Sequence, residues 1–386
     1  MKKYITNLVM LIVALHLASC VESTNANSDE MLEGKALELY SKAEAGDASA
    51  QYELAECYIE GIGCKINPQE AFKWYKKAAD QGEVRALFNL GRLYYNGEGT
   101  PKNETLANEM FNKAFNQAKP MAEQGNSSAM WVLGFSYGLG VGGVSEDEKQ
   151  MVYWWEKGAD YGDRDCLLRL ARYYGEYKEY AKAVNYLIEA ANQGDPRAIN
   201  NLGLYYKNGK GVARDYNKAV QLFTEAAGQG SSSAKSNLGL CYLDGVGVGK
   251  DYSKAVQLFK EAIAQGDESI KVNLGKCYAE GKGVEQDYAM AVQLYKEAGA
   301  DGCNDLGICY LEGKGVEQDY DMAIKLFKEA AQQKQDPKAI YNLAVCYEQG
   351  RGVEQDKAIA LQLYQLAASL GDDEAKMVLR EYGMIN

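Results

Sequence analysis

Few residues in this 386-residue chain have the type and spacing for acid-base, nucleophilic or metal chemistry. There is one histidine, His16, so neither a Ser-His-Asp nor a Cys-His site can be built away from it. Ser232 and Lys235 match S-x-x-K, in which a lysine one helical turn on takes the proton of a nucleophilic serine. No S-D-N or K-T-G accompanies it. It also occupies a place where neighbouring segments read GDPRA or GDESI. Gly138 to Gly143 contains G-x-G-x-x-G, but no strand precedes it to aim a phosphate loop. Gly245 to Lys250 lacks the P-loop spacing. The acids Glu285, Asp287, Glu317 and Asp319 precede helical patterns and read as helix caps, with calcium ligation as the alternative. No catalytic residue, metal ligand or cofactor is assigned, and the chain is not expected to be an enzyme.

Stepping along the chain, the first element is separate from the fold. Lys2 and Lys3 precede the apolar run Leu8 to Leu15, too short and wrongly flanked for a membrane span. Leu17-Ala18-Ser19-Cys20 follows and resembles the lipobox of bacterial lipoproteins. The resemblance implies a signal peptide over 1–19 and a lipidated Cys20. Residues 20–30, small and polar, then read as a flexible tether. The plain alternative is an ordinary cleaved signal. The lipoprotein reading places the chain in a bacterial cell envelope, facing the periplasm. It favours the outer over the inner membrane, because Val21 is not the aspartate that retains many such proteins at the inner one. Cleavage removes His16, Lys2 and Lys3, leaving 40 basic against 54 acidic residues and a net charge of −14. That charge disfavours nucleic acid and anionic lipid as partners.

Internal repeats dominate what remains. Residues 194–229, 230–265 and 266–301 are three copies of one 36-residue unit. A marker leucine recurs at Leu54, Leu90, Leu133, Leu170, Leu202, Leu238, Leu274, Leu306 and Leu343. Tyrosine follows four residues after each marker and reads as core. Glycine follows seven after, except at Tyr177. Each unit parses into two helices. Ala198, Leu202 and Tyr206 share one face of the first, and Ala219, Leu222, Phe223 and Ala226 one face of the second. A second-helix aromatic column runs through Trp74-Tyr75, Trp154-Trp155, Phe223, Phe259, Tyr295, Phe327 and Tyr364. Such a pair cannot bury its apolar face alone, so neighbours must stack. The solenoid spans 46–371, with capping helices at 31–45 and 372–386.

The segments ALFNLGRLYYNGEG, AINNLGLYYKNGKGV and AIYNLAVCYEQGRGV closely resemble the Sel-one-like repeat family, cousins of the tetratricopeptide repeat. The resemblance covers about residues 46 to 383 and implies an all-α, α/α superhelical solenoid of about nine repeats. It also implies a non-enzymatic adaptor for a protein or peptide. The runner-up implied by family analogy is a β-lactam-handling enzyme, and a third reading is a structural envelope spacer. The unit at 82 departs from the pattern by about two extra helical turns around Ala118 to Pro120.

Two first-helix columns are candidates for contact with a partner. The residue before each marker is asparagine at Asn89, Asn201, Asn237, Asn273 and Asn342. In the family this helix lines the concave face. An amide both donates to and accepts from an extended peptide, so the ladder is read as peptide-binding. The competing reading has these side chains bonding neighbouring helices. The residue two after each marker runs Glu56, Arg92, Phe135, Arg172, Leu204, Leu240, Lys276, Ile308 and Val345, charged early and more apolar later. The later units are therefore expected to offer an apolar groove. Cys57, Cys241, Cys277, Cys309 and Cys346 share one repeat position. Stacked helices there stand too far apart to pair, so buried thiols are expected, with Cys57–Cys64 and Cys303–Cys309 as candidate local disulfides.

Overall fold

The structure is a computed structural model and describes residues 32–385. Its contacts divide the chain into two compact units, one of residues up to 250 with 264–267, the other of 251–263 and 268 onward. All regular elements among the described residues are helices.

In the first unit, α1 (Gly34–Glu44) is followed by the pairs α2 (Ala48–Glu60) and α3 (Pro68–Asp80), α4 (Val84–Asn96) and α5 (Glu104–Glu123), α6 (Ser127–Leu139) and α7 (Glu148–Asp160), α8 (Arg164–Glu176) and α9 (Tyr180–Asn192), α10 (Pro196–Asn208) and α11 (Tyr216–Gly228), then α12 (Ser232–Asp244). The second unit holds α13 (Tyr252–Ala264), α14 (Lys271–Glu280) with α15 (Tyr288–Glu297), α16 (Cys303–Glu312) with α17 (Tyr320–Lys334), α18 (Pro337–Gln349) with α19 (Lys357–Ser369), and α20 (Asp373–Glu381). The two outermost helices, α1 and α20, lie inside the segments expected to cap the array.

The helices start and stop where local chemistry dictates. Asp47, Asp163, Asp195, Asp336 and Asp372 each accept a backbone N–H of the first turn they precede. Asp287 and Asp319, read from sequence as caps, accept from Met290 and Met322 at 2.9 Å. The repeat glycine takes the left-handed conformation that closes the first helix, as at Gly209. Where that glycine is lost, at Tyr177, the positive φ passes to Lys178. The tyrosine column also ties each pair together. The backbone N–H of the second helix's cap residue donates to the tyrosine carbonyl, Asp215 to Tyr206 at 3.0 Å and Asp319 to Tyr310 at 2.9 Å.

The glycine that follows six of the nine markers has a packing reason that periodicity does not reveal. A methyl group on Gly203 would lie 2.6 Å from the Phe223 ring, and one on Gly307 equally close to Phe327. The bare helix surface is thus the socket for the second-helix aromatic. In the unit at 82 that aromatic is Phe111, buried against Gly91, which the column read from sequence omitted. Pro120 sits inside α5, the longest helix among the described residues, where the two extra turns were expected. The eight cysteines among the described residues are buried thiols.

The first unit returns upon itself. The turn after α2 reaches the α11–α12 turn. Gly63 donates to the Gly230 carbonyl at 3.1 Å, and Ile62 bridges Ser231. Ile66 donates to the Gln265 carbonyl at 2.9 Å. The start of the array therefore touches repeats four to five positions later, and the faces of the first helices are brought opposite one another.

Candidate interaction surface

Residues one before and two after the marker are three apart, so they share one helix face. In the first unit this face is largely closed by charge. Arg85, 7% exposed, enters from α4 and pairs with Asp165 at 2.8 Å and with Asp163. Its guanidinium lies 5.6 Å from the Trp131 ring centroid and 5.8 Å from that of Tyr52. Arg197 of α10 bridges Asp165 at 2.6 Å and Asp195 at 2.7 Å, with Glu56 at 3.7 Å. Arg164 joins Glu53 at 3.0 Å to Asp195 at 3.5 Å, and Lys35 of α1 completes the chain to Glu53 at 3.1 Å.

The electrostatics follow from this pairing. Burial opposes ionisation of Asp165, but Arg197, Arg85 and Arg164 outweigh it and hold the carboxyl well below its ordinary range. Asp195 is depressed in the same way, with Arg197 the main opponent of burial. Glu56 goes the other way. Burial, reinforced by the charge of Asp165, raises it despite Arg197. The Tyr75 hydroxyl and the Asn89 amide (2.9 Å) both donate to Glu56 Oε1. The space left between α1, α2, α8 and α10 is a cavity of about 10 Å³, lined by Lys35, Glu53, Arg164 and Arg197 among others. That is room for one water at most, so no peptide threads there.

The five asparagines fall into three classes. Asn89 is 2% exposed and spent on Glu56, so it is not available to a partner. Asn237 donates to Asn200 of the preceding repeat at 2.9 Å, and Asn342 does the same to Asn304. These are the inter-helix bonds of the competing reading, yet both asparagines stay half-exposed with amide groups to spare. Asn201 is exposed and Asn273 half-exposed, and among the described residues neither side chain makes a hydrogen bond. Cys20 lies outside the described residues. In the second unit Lys276 pairs with Asp305 at 3.3 Å, and Ile308 and Val345 are half-exposed.

Sequence reasoning missed Arg85, Asp163, Asp165, Arg197 and the acceptors Asn200 and Asn304. A signal was available. Arg85 and Arg197 stand five before their markers and Asp163 and Asp195 seven before, columns absorbed into the repeat consensus and the helix caps. The second unit has one broad depression of about 700 Å³, lined by Tyr310, Glu317, Asp319, Tyr320, Asp321 and neighbours. The Asp319 carboxylate there is already the cap of α17. No group of three or more His, Cys, Asp or Glu among the described residues is arranged to hold a metal ion.

The Sel1 repeat matches the chain at 48–83, 84–119, 127–163, 164–195, 196–231, 232–267, 272–303, 300–334 and 337–372. The chain belongs to the Sel1 repeat family. A crystal structure of a protective antigen present in uropathogenic Escherichia coli strains, displaying an SLR fold, is similar to this Sel1 repeat protein over 91% of this chain and 84% of that one, at 27% identity and a TM-score of 0.50. Chitin synthase regulatory factor 4 of Schizosaccharomyces pombe is 30% identical over 142 residues, 36% of this chain and 20% of that protein. An ERAD-associated E3 ubiquitin-protein ligase component, HRD3B of Arabidopsis thaliana, is 37% identical over 94 residues, 24% of this chain and 15% of that protein. The chain thus spans a fifth or less of the length of these two relatives. Sel1 repeat proteins are in general protein-interaction scaffolds.

Proposed function

We propose that this protein is a non-enzymatic scaffold that binds another protein or a peptide through the exposed face of its first helices. It is held by lipid at Cys20 in a bacterial envelope, facing the periplasm. One observation carries the binding half of this reading. In every repeat the apolar columns, caps and glycines are consumed by packing, while Asn201, Asn237, Asn273 and Asn342 stand exposed or half-exposed with unspent amide groups. In the first unit half-exposed Leu204 and Leu240 stand three residues on from Asn201 and Asn237, and in the second unit Val345 stands so beside Asn342. Amides beside aliphatic side chains suit an extended backbone with apolar side chains. Asn89 is not part of that surface.

Crosslinking pull-down from solubilised envelopes tests it, with the intact protein as bait against a variant carrying Asn201, Asn237 and Asn273→Ala. We expect one partner to be recovered with the parent and reduced roughly tenfold with the variant, the loss of one to two kcal/mol that a few polar contacts carry. The variant should keep its circular dichroism and melting temperature. Unchanged recovery would place binding elsewhere, and no specific recovery from either bait would favour a spacer. The anchor is tested separately. Cys20→Ala should abolish labelling by a radioactive fatty acid and move the protein to the soluble fraction; labelling that persists would rule the anchor out.

A further inference from the structure

The guanidinium groups facing inward in the first unit are not treated alike. Arg85, Arg164 and Arg197 each have two carboxylates or more within 4 Å, and Arg172 pairs with Glu176 at 2.9 Å. Two others lack a carboxylate partner. Arg92 of α4 donates only to the amide oxygen of Asn89, at 2.9 Å. Arg169 of α8 makes no hydrogen bond or ion pair among the described residues, and its Nε is buried without an acceptor. Instead its guanidinium lies 4.9 Å from the Phe135 ring centroid. Phe135 is fixed from behind by Trp131 at 4.5 Å and Trp155 at 5.1 Å. The cation is therefore seated on a rigid aromatic floor with its donors unspent.

We propose that Arg92 and Arg169 form a carboxylate-binding station on the inner face of repeats two to four, fitted to an acidic segment of the protein partner. This rests on the scaffold reading. The two residues occupy the columns two after and one before the marker, on α4 and α8, the two helices that the Arg85–Asp165 pair joins at 2.8 Å. Burial, and next the positive charge of Arg92, push the Arg169 guanidinium below its ordinary value. Like charges thus press on each other where an anion would relieve both. Asp165 and Glu60 act on Arg169, and Glu98 feels Arg92, only through space. Both arginines are half-exposed, so solvent-borne groups reach them. A guanidinium fork fits a planar carboxylate with two parallel hydrogen bonds. The surrounding acids and the overall negative charge select against a polyanion such as nucleic acid and for a segment presenting one or two carboxylates.

The test uses the full chain and fluorescence anisotropy with a fluorescein-labelled, C-terminally amidated Gly-Glu-Gly-Glu-Gly peptide, which carries two side-chain carboxylates, against its glutamine twin. The glutamate peptide should bind and the twin should not. Arg169→Gln and Arg92→Gln should each weaken binding roughly tenfold, as loss of an interface charge pair does. Arg169→Lys should recover part of it. Arg172→Gln, whose partner is already in place, should leave it within about twofold. The Arg169→Gln melting temperature should stay close to the parent's, since no hydrogen bond or ion pair is lost and the cation–π contact with Phe135 that goes is offset by the repulsion removed. Equal binding of both peptides, no binding of either, unchanged affinity in Arg169→Gln, or full displacement by millimolar inorganic phosphate would each overturn the station. If a partner is still captured from envelopes in those cases, the scaffold reading survives; if none is captured while the glutamate peptide binds, that reading fails instead.

Discussion

Replacing Arg85 with methionine is expected to destabilise the first unit by about 3–5 kcal/mol, the usual cost of removing one member of a buried ion pair. Methionine fills much of the volume and contacts Tyr52 and Trp131 as well as the arginine stem does. What it cannot do is neutralise Asp163 and Asp165, both buried and both within hydrogen-bond reach of the guanidinium. Arg197 would remain to serve Asp165, but Asp163 would be left with no cation, held by Cys166, whose backbone N–H donates to it at 3.0 Å. All four tryptophans, Trp74, Trp131, Trp154 and Trp155, lie in the first unit, so their fluorescence in a urea titration reads this unit's unfolding. A loss below about 1 kcal/mol would mean that the network is surface-like in energy and does not hold the unit closed.

The same substitution predicts a pH dependence whose sign is fixed by the paired carboxyls. Asp165 and Asp195 have folded values below their ordinary ones, so their contribution is present above about pH 4. It is lost as the pH falls through the folded values. Glu56, raised by burial, works in the opposite sense and is relieved by acid. In Arg85→Met the depression of Asp165 shrinks, so the parent loses more stability on acidification than the variant. The gap between them should therefore narrow as the pH falls from about 4 toward about 2, through the range between the ordinary and the folded aspartate values, and a gap that stays constant there would remove the electrostatic account.

Much of the fold was legible because it is local. Marker leucines, cap residues and glycine stops recur within one repeat, and each reports a contact made a few residues away. The interior of the first unit was not legible, because its contacts join residues far apart in sequence. Arg85 and Asp165 are 80 positions apart. Whether Glu53 and Glu56 face solvent or Arg164 and Arg197 depends on how tightly successive pairs wind, a sum of small rotations that no single repeat encodes. The asparagine column shows the limit within one repeat type. Asn89, Asn201 and Asn237 have the same residue and register, yet one is buried on Glu56, one is exposed and one is bonded to Asn200. What separates them is the neighbour opposite, not the column. The station at Arg92 and Arg169 likewise lay in the two columns singled out from sequence, but only their surroundings show which arginines are already paired.

Gly63→Ala should open the closure itself, at a cost of about 2–4 kcal/mol. Gly63 has a φ of +67°, a conformation costing a residue with a Cβ about 1–2 kcal/mol. A methyl there would also overlap the Glu33 carbonyl and press on Ala36. Yet Glu33 and Gly230 are the two partners Gly63 must keep, accepting the Glu33 N–H at 2.7 Å and donating to the Gly230 carbonyl at 3.1 Å. Moving the chain to admit the methyl loses one or both, at about 1–3 kcal/mol for a buried group left unsatisfied. Hydrogen exchange should show lost protection in α1 and residues 61–66, while α15 to α19 keep theirs. Because α2 carries both this turn and the Glu53 and Glu56 carboxylates that face Arg164 and Arg197, closure and charge network should report on each other. In the double variant with Arg85→Met, the combined loss should fall short of the sum by about 1 kcal/mol or more, the coupling of sites that share an opened state. Simple additivity would mean that the unit is held shut by two independent devices, and that the inner arginines do not depend on the turn that encloses them.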